Sequence, residues 1–255
     1  MNYFDAHTHL DTRAPEDYNL MVKAGVTGAL TLAHDFAPNA TAAMLKAHFQ
    51  RLAALCEDVQ QRHGLHARLG VGVHPRVASP DALELCAELD FHVEATGAVA
   101  LGEVGLESGG EWELACFVEQ LHAVDLPVVV HTPKLRKADV LRKILEVVND
   151  EGVPPRRLLV DHLDAETVTV ALAAGTYAAV TVRPARLDVQ ETVAILKANQ
   201  RHADRLMVTS DLSSQPTYPD AVARVAAALA AEGLAQEFIN RVCATNATSL
   251  FGRVA

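Results

Sequence analysis

Histidines and carboxylates of this chain recur where an apolar run gives way to a polar loop. His7 and His9 close FDAHTH, His34 closes LTLAHD, His74 stands in GVGVHP, Glu103 in VALGEVGL, His131 in PVVVHTP, His162 in LLVDHL and Asp211 in MVTSDL. Side chains on a strand alternate with period two, so the imidazoles of His7 and His9 point the same way and can chelate one ion. With Glu103, His131, His162 and Asp211 at other strand ends, the chain offers four imidazoles and two carboxylates. That exceeds what one tetrahedral zinc takes, and a carboxylate can bridge two cations. The expected allocation is dinuclear: His7, His9, Glu103 and Asp211 on one divalent ion, Glu103, His131 and His162 on the other. Nitrogen and oxygen ligands without thiolate suit Zn, Mn or a similar ion such as Mg. Water on such a pair is acidified toward neutral pH, which makes hydrolysis the expected reaction. Glu103 then acts as the bridge, while Asp211 can both ligate and accept the attacking water's proton.

Elements of one kind must hold these groups. Counting Arg183 in YAAVTVRP, the step between successive strand ends runs from 21 residues (His162 to Arg183) to 40 (His34 to His74), room for one strand and one helix. Eight such units predict a (β/α)8 barrel of the TIM type, whose active site gathers side chains at the C-terminal ends of its strands. The strand runs are apolar on consecutive positions, as parallel strands buried on both faces are. Strand one is expected over roughly residues 2 to 9, and a helix with the stripe Leu20, Met21 and Ala24 ends at Gly25. A long helix capped by Asn39 or Thr41 carries Leu45, Phe49, Leu52 and Leu55 at helical spacing. One helix spans SPDALELCAELDFHVE with Ser79 as its cap and Pro80 in its first turn, and a terminal helix over residues 235 to 252 closes the barrel. No linker or low-complexity tract interrupts the chain, so residues 1–255 are expected to form a single domain.

The formal charge is −10, from 22 Lys and Arg against 32 Asp and Glu, which argues against nucleic-acid binding through a broad basic face. A locally positive cleft is compatible with it. Lys134, Arg136 and Lys137 follow His131, and Arg183 and Arg186 follow strand seven, where cations suit a small anionic substrate because arginine grips phosphate or carboxylate with two hydrogen bonds. No apolar stretch approaches the ~20 residues of a membrane span. The N-terminus enters the first strand directly, which leaves no room for a cleavable signal and makes a cytoplasmic location the expectation. Cys56, Cys86, Cys116 and Cys243 form no C-x-x-C pair and are expected to be buried free thiols. Asp161 is expected to orient a neighbouring ligand, and not His162, since adjacent strand residues face opposite ways. His34 reads as a barrel-rim residue and Trp112 as the cap of a helix. His48, His63, His66, His92, His122 and His202 receive no role.

The motifs, taken in order, resemble the TatD-related branch of the amidohydrolase superfamily of metal-dependent hydrolases. They are D-x-H-x-H at Asp5 to His9, G-V-H-P at Gly72 to Pro75, G-E-V-G-L at Gly102 to Leu106, H-T-P at His131 to Pro133, D-H at Asp161 and His162, and S-D at Ser210 and Asp211. The resemblance spans essentially the whole chain. It implies a (β/α)8 barrel with a dinuclear site on the ligand set above, a place for His74 in substrate binding, and phosphoester cleavage on a nucleotide or DNA. The chain departs from the nucleases of that branch at Gly105-Leu106-Glu107, His131-Thr132-Pro133 and Thr209-Ser210-Asp211, where they carry G-L-D, H-S-R and E-T-D. Hydrolysis of a lactone or amide, as in other members of the superfamily, is the alternative. A non-catalytic binding barrel is a third reading, but it would show a damaged ligand set, and this one is complete.

Overall fold

The computed structural model describes residues 2–37 and 39–252. Eight strands, β1 (Tyr3–Thr8), β2 (Val26–Leu32), β3 (His66–Val71), β4 (Ala100–Gly105), β5 (Val128–His131), β6 (Leu158–Val160), β7 (Tyr177–Thr181) and β8 (Leu206–Thr209), pair in sequence order. Every pairing is parallel. The ring closes between its first and last strands. His9 N–H donates to the Leu212 carbonyl at 2.7 Å and Asp211 N–H to the His7 carbonyl at 3.0 Å. Asp5, buried beneath them, accepts the backbone N–H of Ser210 at 3.1 Å. The expected (β/α)8 barrel is the fold.

Two apolar layers follow from the strand alternation. Phe4, Leu30, Leu32, Val129, Leu159 and Met207 pack into the barrel lumen, while Val26, Val71, Val128, Val130 and Leu206 pack outward against the helices. The lumen is tight: a Cβ at Gly70 would come within 2.6 Å of Leu32 Cδ2. This filled interior is the dry floor on which the strand-end residues stand. The strand pairing slips between Asp5 and Thr8, and again between Leu101 and Val104. Those slips lie where β1 delivers His7 and β4 delivers Glu103.

The helices follow the expected order with local differences. Thr41, not Asn39, caps the helix Ala42–His63, its hydroxyl accepting the Met44 N–H at 3.3 Å. Ser79 caps Pro80–Cys86 through the Ala82 N–H at 3.1 Å. The single helix expected there is broken, because Leu89–Thr96 starts afresh after Ala87 and Glu88. In Pro15–Lys23 only Met21 of the expected stripe is buried, and Leu20 is 49% exposed because it lies around the helix from the barrel. The terminal segment runs from Gln236 to Phe251 through a π turn at Arg241–Thr245. Asn246 donates to the Ala203 and Leu206 carbonyls at 2.7 and 2.8 Å, and Phe251 joins Phe4 in the lumen layer. All four cysteines are free and buried. Among the described residues no helix is long and apolar enough to cross a membrane.

Candidate metal centre

Glu103 stands at the centre of the strand-end cluster. Its Oε1 lies 2.6 Å from His131 Nδ1 and 3.0 Å from His162 Nε2. Its Oε2 lies 3.4 Å from His7 Nε2 and 3.6 Å from His9 Nε2. Asp211 Oδ1 lies 3.5 Å from His9 Nε2 and 4.0 Å from His7 Nε2. All six side chains are buried. The two oxygens of one carboxylate thus face two different pairs of imidazoles, which is the geometry a bridging ligand needs.

The outer hydrogen bonds of the rings fix which nitrogen faces inward. His7 Nδ1 donates to Asp161 Oδ2 at 2.6 Å, and His9 Nδ1 to the Leu32 carbonyl at 3.1 Å. His162 Nδ1 donates to Thr181 Oγ1 at 2.8 Å, whose own proton goes to Asp161 Oδ1 at 2.9 Å. His131 Nε2 lies 2.8 Å from Glu107 Oε2 and donates to it. In the neutral rings every inward nitrogen is therefore a lone pair aimed at other lone pairs. His7 Nε2 and His9 Nε2 are 3.1 Å apart, and neither has a proton to give in that tautomer. Only a cation or an added proton satisfies such an arrangement. Backed by carboxylate, hydroxyl and carbonyl acceptors, the rings meet the usual requirement for divalent-ion ligands. Among the described residues the side chains close enough to share an ion around Glu103 are His7, His9 and Asp211; His7, Glu103 and His162; and His74, Glu103 and His131, a grouping that differs from the expected one by pairing His162 with His7 and His131 with His74.

The charges agree with this reading. Burial alone would pull His7 down, but Glu103 and the hydrogen bond to Asp161 outweigh it and hold the ring well above the usual imidazole value. His131 is likewise raised against burial by Glu103 and Glu107. Glu103, which burial would raise, is held well below the usual carboxylate value by His7 and His131. The metal-free fold thus keeps protons where cations fit. Burial, with the Arg186 charge behind it, pushes His162 down to about 3, so its inward lone pair is free. Burial pushes Asp211 up from the usual carboxylate value. His162 and Asp211 both adopt left-handed backbone, with φ of 62° and 50°, a conformation that residues with side chains adopt at a cost and that concentrates at functional sites.

His74 belongs to the site in a different way. Its Nδ1 accepts the Arg76 N–H at 3.1 Å, so the neutral ring carries its proton on Nε2, 3.7 Å from Glu103 Oε2. Burial pushes it down to about 4, which keeps the ring neutral near pH 7. It can present an N–H to a substrate more readily than a lone pair to an ion.

Above the cluster lies a cleft of about 660 Å³ whose walls include His74, Lys134, Arg183 and Arg186. Arg183 donates to Asp211 Oδ2, and Arg186 Nε lies 3.7 Å from the same oxygen. Arg136 does not line it. Its backbone is left-handed (φ 53°), and its side chain, 73% exposed, turns out toward Asp139 at 3.8 Å. Lys137 instead donates to the His162 carbonyl at 2.6 Å, bracing that turn. Asp161 orients His7, and its other oxygen takes hydrogen bonds from the Thr181 and Thr209 hydroxyls and the His162 N–H. Trp112 sits in the first turn of Glu111–Ala123, 41% exposed.

Two contributors escape the sequence pattern. Glu107 orients His131, and Arg76 on the cleft wall holds Glu107 at 3.1 Å and Asp35 at 3.1 Å. The sequence signals for Glu107 are an acid two residues beyond the end of β4 and its place opposite the Asp of the G-L-D that the related nucleases carry.

Comparison with known proteins gives a consistent picture. The model of the TatD related DNase family matches residues 4–252. An uncharacterized metal-dependent hydrolase of Methanocaldococcus jannaschii is 30% identical over 214 residues, covering 82% of this chain and 84% of that protein. The crystal structure of a TatD-like protein from Archaeoglobus fulgidus superposes with a TM-score of 0.83 at 24% identity, over 98% of this chain and 99% of the other. That of the phosphotriesterase homology protein of Escherichia coli, complexed with phosphate in its active site, gives 0.79 at 16% identity over 98% of each chain. The chain belongs to the TatD-related family of metal-dependent hydrolases.

Proposed function

We propose that the protein hydrolyses a small phosphoester, a nucleotide or DNA being the leading candidates, at a pair of divalent ions that Glu103 would bridge. One ion is held by His7, His9, Glu103 and Asp211, the other by Glu103, His131 and His162. The observation that carries the substrate class is the set of cations beside the ligands: Lys134, Arg183 and Arg186 wall the cleft of a protein whose net charge is −10. Lys134 has no ion pair among the described residues, which leaves it free for a substrate anion. The cleft volume of about 660 Å³ falls in the range of small-molecule sites. Phosphate in the active site of the Escherichia coli phosphotriesterase homology protein points the same way.

When bound, the ions supply Lewis acidity and lower the pKa of water toward neutrality. The chain supplies the rest. Arg183 and Arg186 turn from Asp211 to the phosphoryl oxygens, His74 Nε2–H donates to a further oxygen, and Asp211 accepts the proton of the attacking water.

The test is a panel of phosphodiester, phosphomonoester, lactone and amide substrates on protein reconstituted with Zn or Mn. Phosphoesters should turn over best, with a KM that rises as salt screens the cations. Arg183→Ala should cost the anionic substrates about tenfold, ~1.4 kcal/mol, and spare the neutral ones. Preference for a neutral lactone or amide at every ionic strength would refute the assignment.

A further inference from the structure

A second group of metal-type ligands lies beside the first. Asp11 follows β1, His34 follows β2, and His48 lies inside the helix Ala42–His63. One ligand atom from each lies within 4.8 Å of the other two. His34 Nε2 is 3.1 and 3.3 Å from the Asp11 oxygens, and His48 Nδ1 is 3.9 Å from Asp11 Oδ2. The His34 and His48 rings stand edge to face, 5.0 Å between centroids. Asp11 and His34 line the mouth of the cleft, and the His34 ring lies 4.7 Å from that of His9.

The chemistry of His48 makes this more than a packed trio. Its ring is 1% exposed, and burial pushes it down to about 4, so it is neutral near pH 7. Nδ1 takes an N–H from Arg51 at 3.5 Å, the outer limit of a hydrogen bond, while Nε2 has no hydrogen-bond partner among the described residues. The neutral ring then carries its proton on Nε2, and the Nδ1 lone pair faces a carboxylate oxygen too far off to be a hydrogen-bond partner. The buried Nδ1 thus points toward a partly exposed carboxylate that His34 already approaches from the other side. Two imidazoles and one carboxylate with an open side form a face-capping set suited to a borderline divalent ion.

We propose that Asp11, His34 and His48 bind a third divalent cation at the mouth of the cleft, through Asp11 Oδ2, His34 Nε2 and His48 Nδ1. The open side of the ion faces the cleft, where a substrate oxygen completes its coordination. An unfavourable neighbour is the Arg51 guanidinium. Arg51 is exposed and also leans on the Phe36 ring, 5.8 Å from its centroid, so it can turn away as the ion enters.

The experiment is equilibrium dialysis of the full chain against Zn2+, with metal content measured by elemental analysis. Wild type should saturate with one ion more than His34→Ala or Asp11→Asn, and both variants should keep the pair held around Glu103. Because those two side chains sit at the rim, loss of fold is not the expected effect, and retention of the pair verifies it in the same measurement. Arg51→Ala should bind the third ion several-fold more tightly by removing a nearby positive charge. The third-ion count rests on the pair proposed around Glu103, and that pair fails by itself if the plateau of the rim variants is below two ions; equal plateaus for wild type and both rim variants overturn the present proposal.

Discussion

Replacing Asp161 with asparagine tests whether the outer hydrogen bonds set the metal centre. Oδ1 of Asp161 accepts from the Thr181 and Thr209 hydroxyls at 2.9 and 3.0 Å and from the His162 N–H. Those three donors hold the amide oxygen of Asp161→Asn at the same place. Its NH2 must then face His7 Nδ1, where the carboxylate oxygen stood at 2.6 Å. A donor there forces His7 to accept at Nδ1 and carry its proton on Nε2, which closes off the nitrogen aimed at the ion. Size is unchanged, but in chelator the protonated His7 loses its buried acceptor, so the barrel should melt below wild type at pH under the raised His7 value and approach it above that value. Substitution of an outer partner of this kind costs about 10- to 100-fold in metal affinity, or ~1.4–2.7 kcal/mol. Competition with a chromogenic chelator measures it directly. Wild-type metal affinity in Asp161→Asn would refute the argument that this hydrogen bond selects the tautomer.

Two further outcomes follow. Asp211→Asn keeps the shape and an oxygen ligand but removes the basicity, so turnover should fall by about 10²-fold or more in protein that still holds metal, measured by steady-state kinetics alongside metal content; full activity would exclude the proton-accepting role. His7 and His131 are raised in the metal-free fold, so the stability their protons contribute is present below the unfolded imidazole value of ~6.5 and lost as pH rises through the raised values. Chelator-treated protein should therefore lose melting temperature as pH climbs above about 6.5, and metal binding near pH 7 should release protons, seen by calorimetry in buffers of different ionisation enthalpy.

The barrel and the inward histidines were legible because both depend on short-range pattern. Consecutive apolar residues mark strands buried on two faces, and a polar residue ending such a run must lie at the rim. What loops and turns do was less legible. Arg136 follows β5 only two residues after Lys134, yet its own left-handed backbone ahead of the helix Lys137–Asp150 turns its side chain into solvent. Glu107 and Arg76 meet across two loops, a contact that no period encodes. Leu20 shows that an apolar residue beside a core position need not be buried. His48 was passed over although a signal existed: it falls on the face of Leu45, Phe49 and Leu52, so a polar ring had to be buried there and to need a partner.

The seam of the barrel ties folding to chemistry. Its closing hydrogen bonds are made by the backbone of His7, His9 and Asp211, and the side chains of those same residues converge on Glu103. A folding chain must bring its beginning beside a strand some 200 residues away, the slowest kind of contact to make, before that cluster can exist. Without β8 the chain has neither Asp211 nor the partners of the His7 and His9 backbone, so the full cluster requires the closed ring. Ions that bind only the closed form then act as a latch, slowing the parting of β1 from β8 by an amount that grows with the free metal concentration.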